Sequence, residues 1–126
     1  MKEPPAFDSL RMDSPENDEF GTDGVPYRHF SRFCVERCGG EAAPAELVRM
    51  MNPVKYVEDP AAATVKHWRI RHGEKDRDTS AAISAIFALK LMQEGADVDY
   101  FIPWDTPHGG DYDTPELFAW IDAICS

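Results

Sequence analysis

Residues 66–103 read KHWRIRHGEKDRDTSAAISAIFALKLMQEGADVDYFIP, and this stretch decides the fold. Residues 66–72 alternate large apolar and basic side chains, which is the pattern of a β-strand. Residues 97–103 repeat that alternation, with every second side chain from Val98 onward on one face. A helical pattern separates the two segments. The two strands are therefore predicted to lie parallel, joined by a right-handed crossover.

The helix between these strands is predicted to begin at a cap on Thr79 or Ser80 and to run to about Glu94. Gly95 is suited to end it, because glycine accepts the left-handed backbone of a helix C-terminus. Its apolar positions are expected to form one broad buried stripe, made of Ile83, Ile86, Phe87, Leu89 and Leu91.

A final helix is predicted to follow the second strand, with Thr114 as its cap and Pro115 in its first turn. Its apolar side chains are expected to be buried: Leu117, Phe118, Trp120, Ile121 and Ile124. Residues 64–126 are thus predicted to be a β-α-β-α unit of the α/β class. Two parallel strands do not make a stable sheet alone, so further strands are expected from elsewhere.

Residues 1–63 have weaker patterns and are predicted to be an irregular and helical, cap-like segment. Residues 1–30 are rich in proline, glycine and acids, which indicates extended or irregular chain. Short helices are predicted within residues 25–38 and over residues 44–51. Cys34 and Cys38 lie four positions apart, but a zinc site would need a second ligand pair that the sequence does not offer.

The chain has 126 residues and a net charge of −10, with 23 acids against 13 bases. One domain is expected from that length. The negative charge disfavours nucleic acid and anionic membranes as partners, and no apolar run is long enough for a transmembrane helix. Three cysteines and the absence of a secretory signal at the N-terminus favour reduced thiols and a cytoplasmic location.

Two loops that follow the predicted strands carry the side chains suited to chemistry. The first contains a His-Gly-x-x-Asp turn that ends at Asp76, and the second contains His108. Because the carboxyl ends of parallel strands meet at one edge, Asp76 is expected to accept the Nδ1–H of His108. Taken singly, Asp76 could be a helix cap and His108 a surface residue. A metal cluster of these two residues with His72 is a further alternative.

These motifs resemble the α/β-hydrolase superfamily, whose triad runs nucleophile, acid, histidine along the chain. KHWRIRHGEKDRDTS and PWDTPHGGDYDTPELFAWID resemble the tail of bacterial esterases and lipases related to tannases and feruloyl esterases, and SPENDEFGT resembles their segment beside the substrate pocket. The resemblance implies that Asp76 is the triad acid and His108 the general base. It also implies a substrate contact at Asp78. Trp104, on the loop that carries His108, is expected to be core, and a place in the wall of the substrate pocket is the alternative.

The sequence departs from that family in one respect: it contains no Gly-x-Ser-x-Gly nucleophile elbow. The chain alone is therefore expected to be catalytically inactive. The complete hydrolase is expected to cleave a small-molecule ester and to need no cofactor or metal ion. Peptide hydrolysis by the same triad would differ only in the pocket. The non-enzymatic alternative is a standalone protein that self-associates through its sheet edge. The expected partner is accordingly another copy of the chain or the missing N-terminal half.

Overall fold

The computed structural model describes residues 8–110 and 112–126; residues 1–7, part of the segment predicted to be irregular, lie outside that description, as does residue 111. The described chain divides into two compact units. The first comprises residues 8–63 together with Arg77–Ser80, and the second comprises Thr64–Asp76 and Ala81–Ser126. Among the described residues, no helix combines the length and the apolar character needed to cross a membrane.

The first unit contains four short helices and no extended strand among its described residues: α1 (Pro15–Glu19), α2 (Arg32–Cys38), α3 (Ala45–Met50) and α4 (Val54–Val57). The hydroxyl of Ser14 caps α1 and that of Ser31 caps α2. A helix was expected within residues 25–38, and the structure confines it to α2. His29 forms an isolated parallel bridge with Ala42.

The second unit is a β-α-β-α arrangement, as predicted. Strand β1 (His67–Arg71) is followed by helix α5 (Ala81–Gln93), strand β2 (Asp97–Phe101) and helix α6 (Thr114–Cys125). The two strands pair in parallel, in a register that runs from His67 opposite Asp97 to Arg71 opposite Phe101. The α/β class with a two-stranded parallel sheet and flanking helices is therefore confirmed.

Helix α5 contributes most of the buried core of this unit. Ala88 and Leu91 are each 1% exposed. The ring of Phe87 meets Trp68 edge to face, with centroids 5.4 Å apart. These contacts attach α5 to the sheet through one side of the helix.

The expectation that the whole apolar stripe of α5 is buried was wrong. Ile83, Ile86 and Leu89 are 43%, 54% and 59% exposed. On α6 the same prediction fails for Phe118 and Ile121, which are also exposed. A sheet of two strands offers too little surface to cover helices that are apolar on several sides.

Candidate active site

Two loops meet at the carboxyl ends of the strands. Residues 72–76 follow β1. Residues 102–110 and 112–113 follow β2 and precede α6, and this second segment is called the histidine loop below. The backbone N–H of Glu74 donates to the carbonyl of Pro103 at 3.0 Å, and that of Lys75 donates to the carbonyl of Thr106 at 2.8 Å. These bonds fix the two loops side by side.

Gly73 allows this close approach. A Cβ at that position would lie 2.4 Å from the carbonyl oxygen of Thr106 and 2.5 Å from that of Pro107. Real Cβ atoms do not come so near to backbone oxygens, so any larger residue would push the loops apart. The glycine of the His-Gly-x-x-Asp turn is thus required by the neighbouring loop.

Asp76 and His108 come together as the sequence predicts. Nδ1 of His108 lies 3.0 Å from Oδ2 of Asp76. Because an ionised carboxylate only accepts hydrogen bonds, the proton lies on Nδ1, and Nε2 of the neutral ring keeps its lone pair. The Asp76 side chain is 7% exposed and that of His108 is 58% exposed. The carboxylate is shielded, while the imidazole remains accessible.

His72 approaches the same carboxylate from the end of β1. Its Nε2 lies 3.9 Å from Oδ2 of Asp76, and its side chain is buried. The buried ring suits a structural role at the end of β1. The alternative metal cluster of His72, Asp76 and His108 would require Nδ1 of His108 to give up its bond to Asp76, or the ring to turn.

The two remaining predicted site residues are Asp78 and Trp104. Asp78 is half-buried and belongs to the first unit, whereas Asp76 and His108 belong to the second. Trp104 begins the histidine loop and is 81% exposed. Tryptophan at this position was expected to be core, and the structure contradicts that expectation. The proposed roles of Asp78 and Trp104 toward a substrate stay predictions.

A cluster of charged side chains holds the C-terminal end of the histidine loop. The sequence did not predict this cluster. Asp113 accepts from both Nη atoms of Arg69, at 3.2 and 2.5 Å, and from Nε of Arg71 at 3.1 Å. Arg71 also donates to Asp99 at 2.6 Å. These four residues are called the arginine clamp below. The alternation of arginines on β1 opposite an aspartate on β2 is the sequence signal for it.

The pKa values of Asp113 and Arg71 are both shifted in the direction that favours their charged forms. Hydrogen bonds from Arg69 lower the pKa of Asp113, and those from Arg71 add to the effect against the opposing effect of burial. Burial works to lower the pKa of Arg71, but its bonds to Asp99 and Asp113 outweigh that and raise it. The Arg69 side chain is only 6% exposed. Such a buried cation depends on its acidic partners.

Thr114 was expected to cap α6, and this was wrong. Asp113 occupies the cap position and Thr114 is the first helical residue. The Asp113 side chain makes no capping hydrogen bond, because its oxygens are engaged with the arginines. The backbone N–H of Leu117 still bonds to the Asp113 carbonyl at 3.0 Å.

A cleft of about 240 Å³ lies beside the clamp, lined in part by Gly109 and Gly110, which follow His108. Tyr112 also lines it. Burial raises the pKa of Tyr112, and the negative charges of Asp113 and Asp76 add to that rise. Tyr112 therefore lies within electrostatic range of both the clamp and the candidate acid.

The first unit holds a second group of possible metal ligands, in which atoms of Asp8, His29 and Cys34 lie within 4.8 Å of one another. The Asp8 carboxylate already accepts five hydrogen bonds: from Nδ1 of His29, Nδ2 of Asn17, the N–H of Phe30, and the N–H and hydroxyl of Ser31. A cation would have to displace several of them. The geometry therefore suits a structural hub that ties residue 8 to residues 29–31.

Cys34 and Cys38, considered above as two possible zinc ligands, lie in different surroundings. Cys34 is buried and its thiol donates to the Asp8 carbonyl at 3.2 Å, whereas Cys38 is exposed. All three cysteines of the chain are free thiols.

No protein-family model and no curated protein matches the chain. Among solved structures, the tannin acyl hydrolase of Lactobacillus plantarum matches 96% of the chain at 45% identity, with a TM-score of 0.90. A tannin acyl hydrolase in complex with ethyl gallate matches 96% at 46% identity, with a TM-score of 0.86. The tannase of Fusobacterium nucleatum matches 100% at 43% identity, with a TM-score of 0.88. The chain spans only 27%, 27% and 28% of those three chains.

Proposed function

We propose that this chain, a partial tannase-like chain, forms the C-terminal part of an α/β-hydrolase that cleaves carboxylic esters. Over 96–100% of its length it is similar to segments that make up 27–28% of the three matched enzymes. The observation that carries the proposal is the 3.0 Å contact between Asp76 and His108. An acid and a histidine at the carboxyl ends of adjacent parallel strands, in that chain order, are what a hydrolase triad needs.

In this reaction a serine outside these 126 residues attacks the ester carbonyl. Nε2 of His108 takes the serine proton as the new C–O bond forms, and then gives it to the leaving alcohol as the old bond breaks. Water next attacks the acyl-serine, and His108 moves its proton in the same way. Asp76 accepts the Nδ1–H throughout and stabilises the imidazolium. The shielded carboxylate and the accessible ring support this division of roles.

The proposed substrate class is phenolic esters. Two of the matched tannin acyl hydrolase structures are complexes with ethyl gallate and with 3,4-dihydroxybenzoate. In the complete enzyme we assign Asp78 to accept hydrogen bonds from phenolic hydroxyls, and Trp104 to offer its exposed indole as an apolar wall. Both residue types suit such a ring, which has polar hydroxyls at its edge and an apolar face.

The remaining hydrolase part would supply the serine, the oxyanion donors and the rest of the sheet. The exposed apolar side chains of α5 support this, since Ile86 and Leu89 are more than half exposed. No strand among the described residues pairs with the outer edge of β1. A helix that is apolar on several sides is ordinarily buried on several sides.

The same exposed surface favours a second candidate function, in which the chain is a non-catalytic protein that self-associates. Two copies could cover Ile83, Ile86 and Leu89 against each other and extend the sheet at β1. Light scattering at micromolar concentration separates the two ideas. A stable dimer supports self-association, and a monomer that binds the remaining hydrolase part supports the first proposal.

The experiment for the ester-hydrolase proposal is a chimera. The matching segment of the Lactobacillus plantarum tannin acyl hydrolase is replaced by this chain, and hydrolysis of ethyl gallate is measured. We expect turnover that falls by about a thousandfold or more in a His108→Ala variant, because the serine then lacks its base.

The control variant is His67→Ala. His67 pairs with Asp97 at 2.8 Å, at the opposite end of the strands, so its removal should leave turnover within about twofold. A chimera that folds and hydrolyses the ester equally well with and without His108 would refute the proposal.

A further inference from the structure

The geometry points to Asp113 as a positioning residue for His108: by binding Arg69 and Arg71 it holds the C-terminal end of the histidine loop against β1. Its importance for ester cleavage rests on the proposed function, whereas its effect on the histidine ring is measured without any reaction. Asp113 makes no capping bond to α6, so its carboxylate does not serve the usual purpose of an aspartate at that place.

The first step of the argument concerns the anchors of the histidine loop. Its N-terminal part is fixed by the backbone bonds from Glu74 and Lys75 to Pro103 and Thr106. Its C-terminal end is fixed by the three hydrogen bonds from the arginines to Asp113. His108 lies between these two anchors.

The second step concerns the link between His108 and Asp113. The next two residues are Gly109 and Gly110, and a Cβ on Gly110 would meet no atom within 4 Å. The half-exposed ring of His108 relies on its bond to Asp76 and on the position of its loop, whose last residue, Asp113, is held by the arginines.

The third step concerns the strength of the hold. The Arg69 guanidinium presents two N–H groups to the two oxygens of Asp113, and the side chain of Arg69 is 6% exposed. Bidentate pairing with a buried arginine restricts both the distance between the two side chains and the rotation of the carboxylate. Arg71 adds a bond to one of the same oxygens, so Asp113 cannot swing toward solvent without losing three bonds.

The test uses the 126-residue chain itself and long-range ¹H–¹⁵N spectra of its histidine rings, which report the tautomer of each ring. Asp113→Asn removes the charge but keeps the shape. We expect the single Nδ1–H pattern of His108 to change to an average of both tautomers, with the patterns of His67 and His29 unchanged. A His108 pattern identical to that of the wild type overturns the proposal.

Asp99→Asn is the matched control, since Asp99 binds Arg71 at 2.6 Å but lies on β2 and not on the histidine loop. The His108 pattern should survive this change. If Asp99→Asn alters it as much as Asp113→Asn does, the charge network as a whole is responsible and the assignment to Asp113 is wrong.

Two further variants keep the test decisive. Asp113→Glu retains a carboxylate that can reach the arginines, and it should restore the wild-type pattern. If Asp113→Asn does not fold, Arg71→Lys replaces it, because lysine keeps the charge near Asp99 but cannot supply the Nε bond to Asp113. That variant should show partial averaging of His108, and an unaltered ring refutes the proposal. An inactive chimera with these spectral changes would refute ester hydrolysis and leave the positioning role intact.

Discussion

The carbonyl oxygen of Thr106 occupies the place that a Cβ on Gly73 would need, with only 2.4 Å between the two positions. This close approach brings the loop that carries Asp76 against the loop that carries His108. The local backbone, as well as the hydrogen bond between Asp76 and His108, therefore decides whether the two side chains meet.

Gly73→Ala should destabilise the chain by about 1–3 kcal/mol, because the new methyl group overlaps the backbone oxygens of Thr106 and Pro107. Urea unfolding followed by tryptophan fluorescence measures this. Gly110→Ala is the control, since a Cβ there meets no atom within 4 Å, and it should change stability by less than about 0.5 kcal/mol. Equal stability of the two variants would show that the loops do not pack as described.

Leu91 and Leu89 lie two positions apart on α5 and should respond very differently to truncation. Leu91 is 1% exposed and Leu89 is 59% exposed. Leu91→Ala should lower the free energy of unfolding by about 2–5 kcal/mol, as truncation of a buried leucine ordinarily does. Leu89→Ala should lower it by about 0.5 kcal/mol or less. Unfolding at low and high protein concentration provides the comparison. A large, concentration-dependent cost at Leu89 would contradict its exposure and favour self-association.

The Asp8 hub should make the first unit sensitive to acid. Burial works to raise the pKa of Asp8, but hydrogen bonds from His29, Ser31 and Asn17 outweigh it, and the pKa is lowered. A carboxyl whose folded pKa lies below its unfolded value stabilises the fold above the unfolded value, and that stability is lost as pH falls through the folded value.

Asp8→Asn should therefore destabilise the chain at neutral pH by about 1–3 kcal/mol, and the difference from wild type should shrink as the pH is lowered below the ordinary aspartate range. Denaturant unfolding across that range measures it. Asp23→Asn, at an exposed position, is the control. A loss of stability in Asp8→Asn that is the same at acid and neutral pH would contradict the link between the Asp8 pKa and the stability of the fold.

The 126-residue chain alone should not cleave p-nitrophenyl acetate faster than its His108→Ala variant. The sequence has no Gly-x-Ser-x-Gly elbow, and a histidine without a nucleophile and oxyanion donors lacks the main terms of acyl-transfer catalysis. Stopped-flow absorbance detects the product. A burst that depends on His108 would mean that a nucleophile is present within these residues.

The β-α-β-α order of the second unit could be predicted because its local patterns are strong. The alternation around Trp68 and the helix stop at Gly95 depend on neighbouring residues alone. The meeting of Asp76 and His108 followed as well, since the rule that parallel strands end at one edge does not depend on packing details.

The exposure of α5 and the arginine clamp could not be predicted in the same way. An apolar pattern indicates which side chains prefer burial, but whether Ile86 is covered depends on how much sheet is there to cover it. The role of Asp113 depends on contacts 42 and 44 positions away in sequence, to Arg71 and Arg69. Cap preference favoured Thr114, and the bidentate arginine contact outweighed that local preference.

The tautomer of His108 in the 126-residue chain tests the account most directly. Long-range ¹H–¹⁵N spectra at neutral pH should show the proton on Nδ1, and Asp76→Asn should shift it toward Nε2, while Asp97→Asn, beside His67, should leave His108 unchanged. A wild-type ring that carries its proton on Nε2, or one that is indifferent to the loss of the Asp76 charge, would contradict the claim that these two residues form an acid–histidine pair.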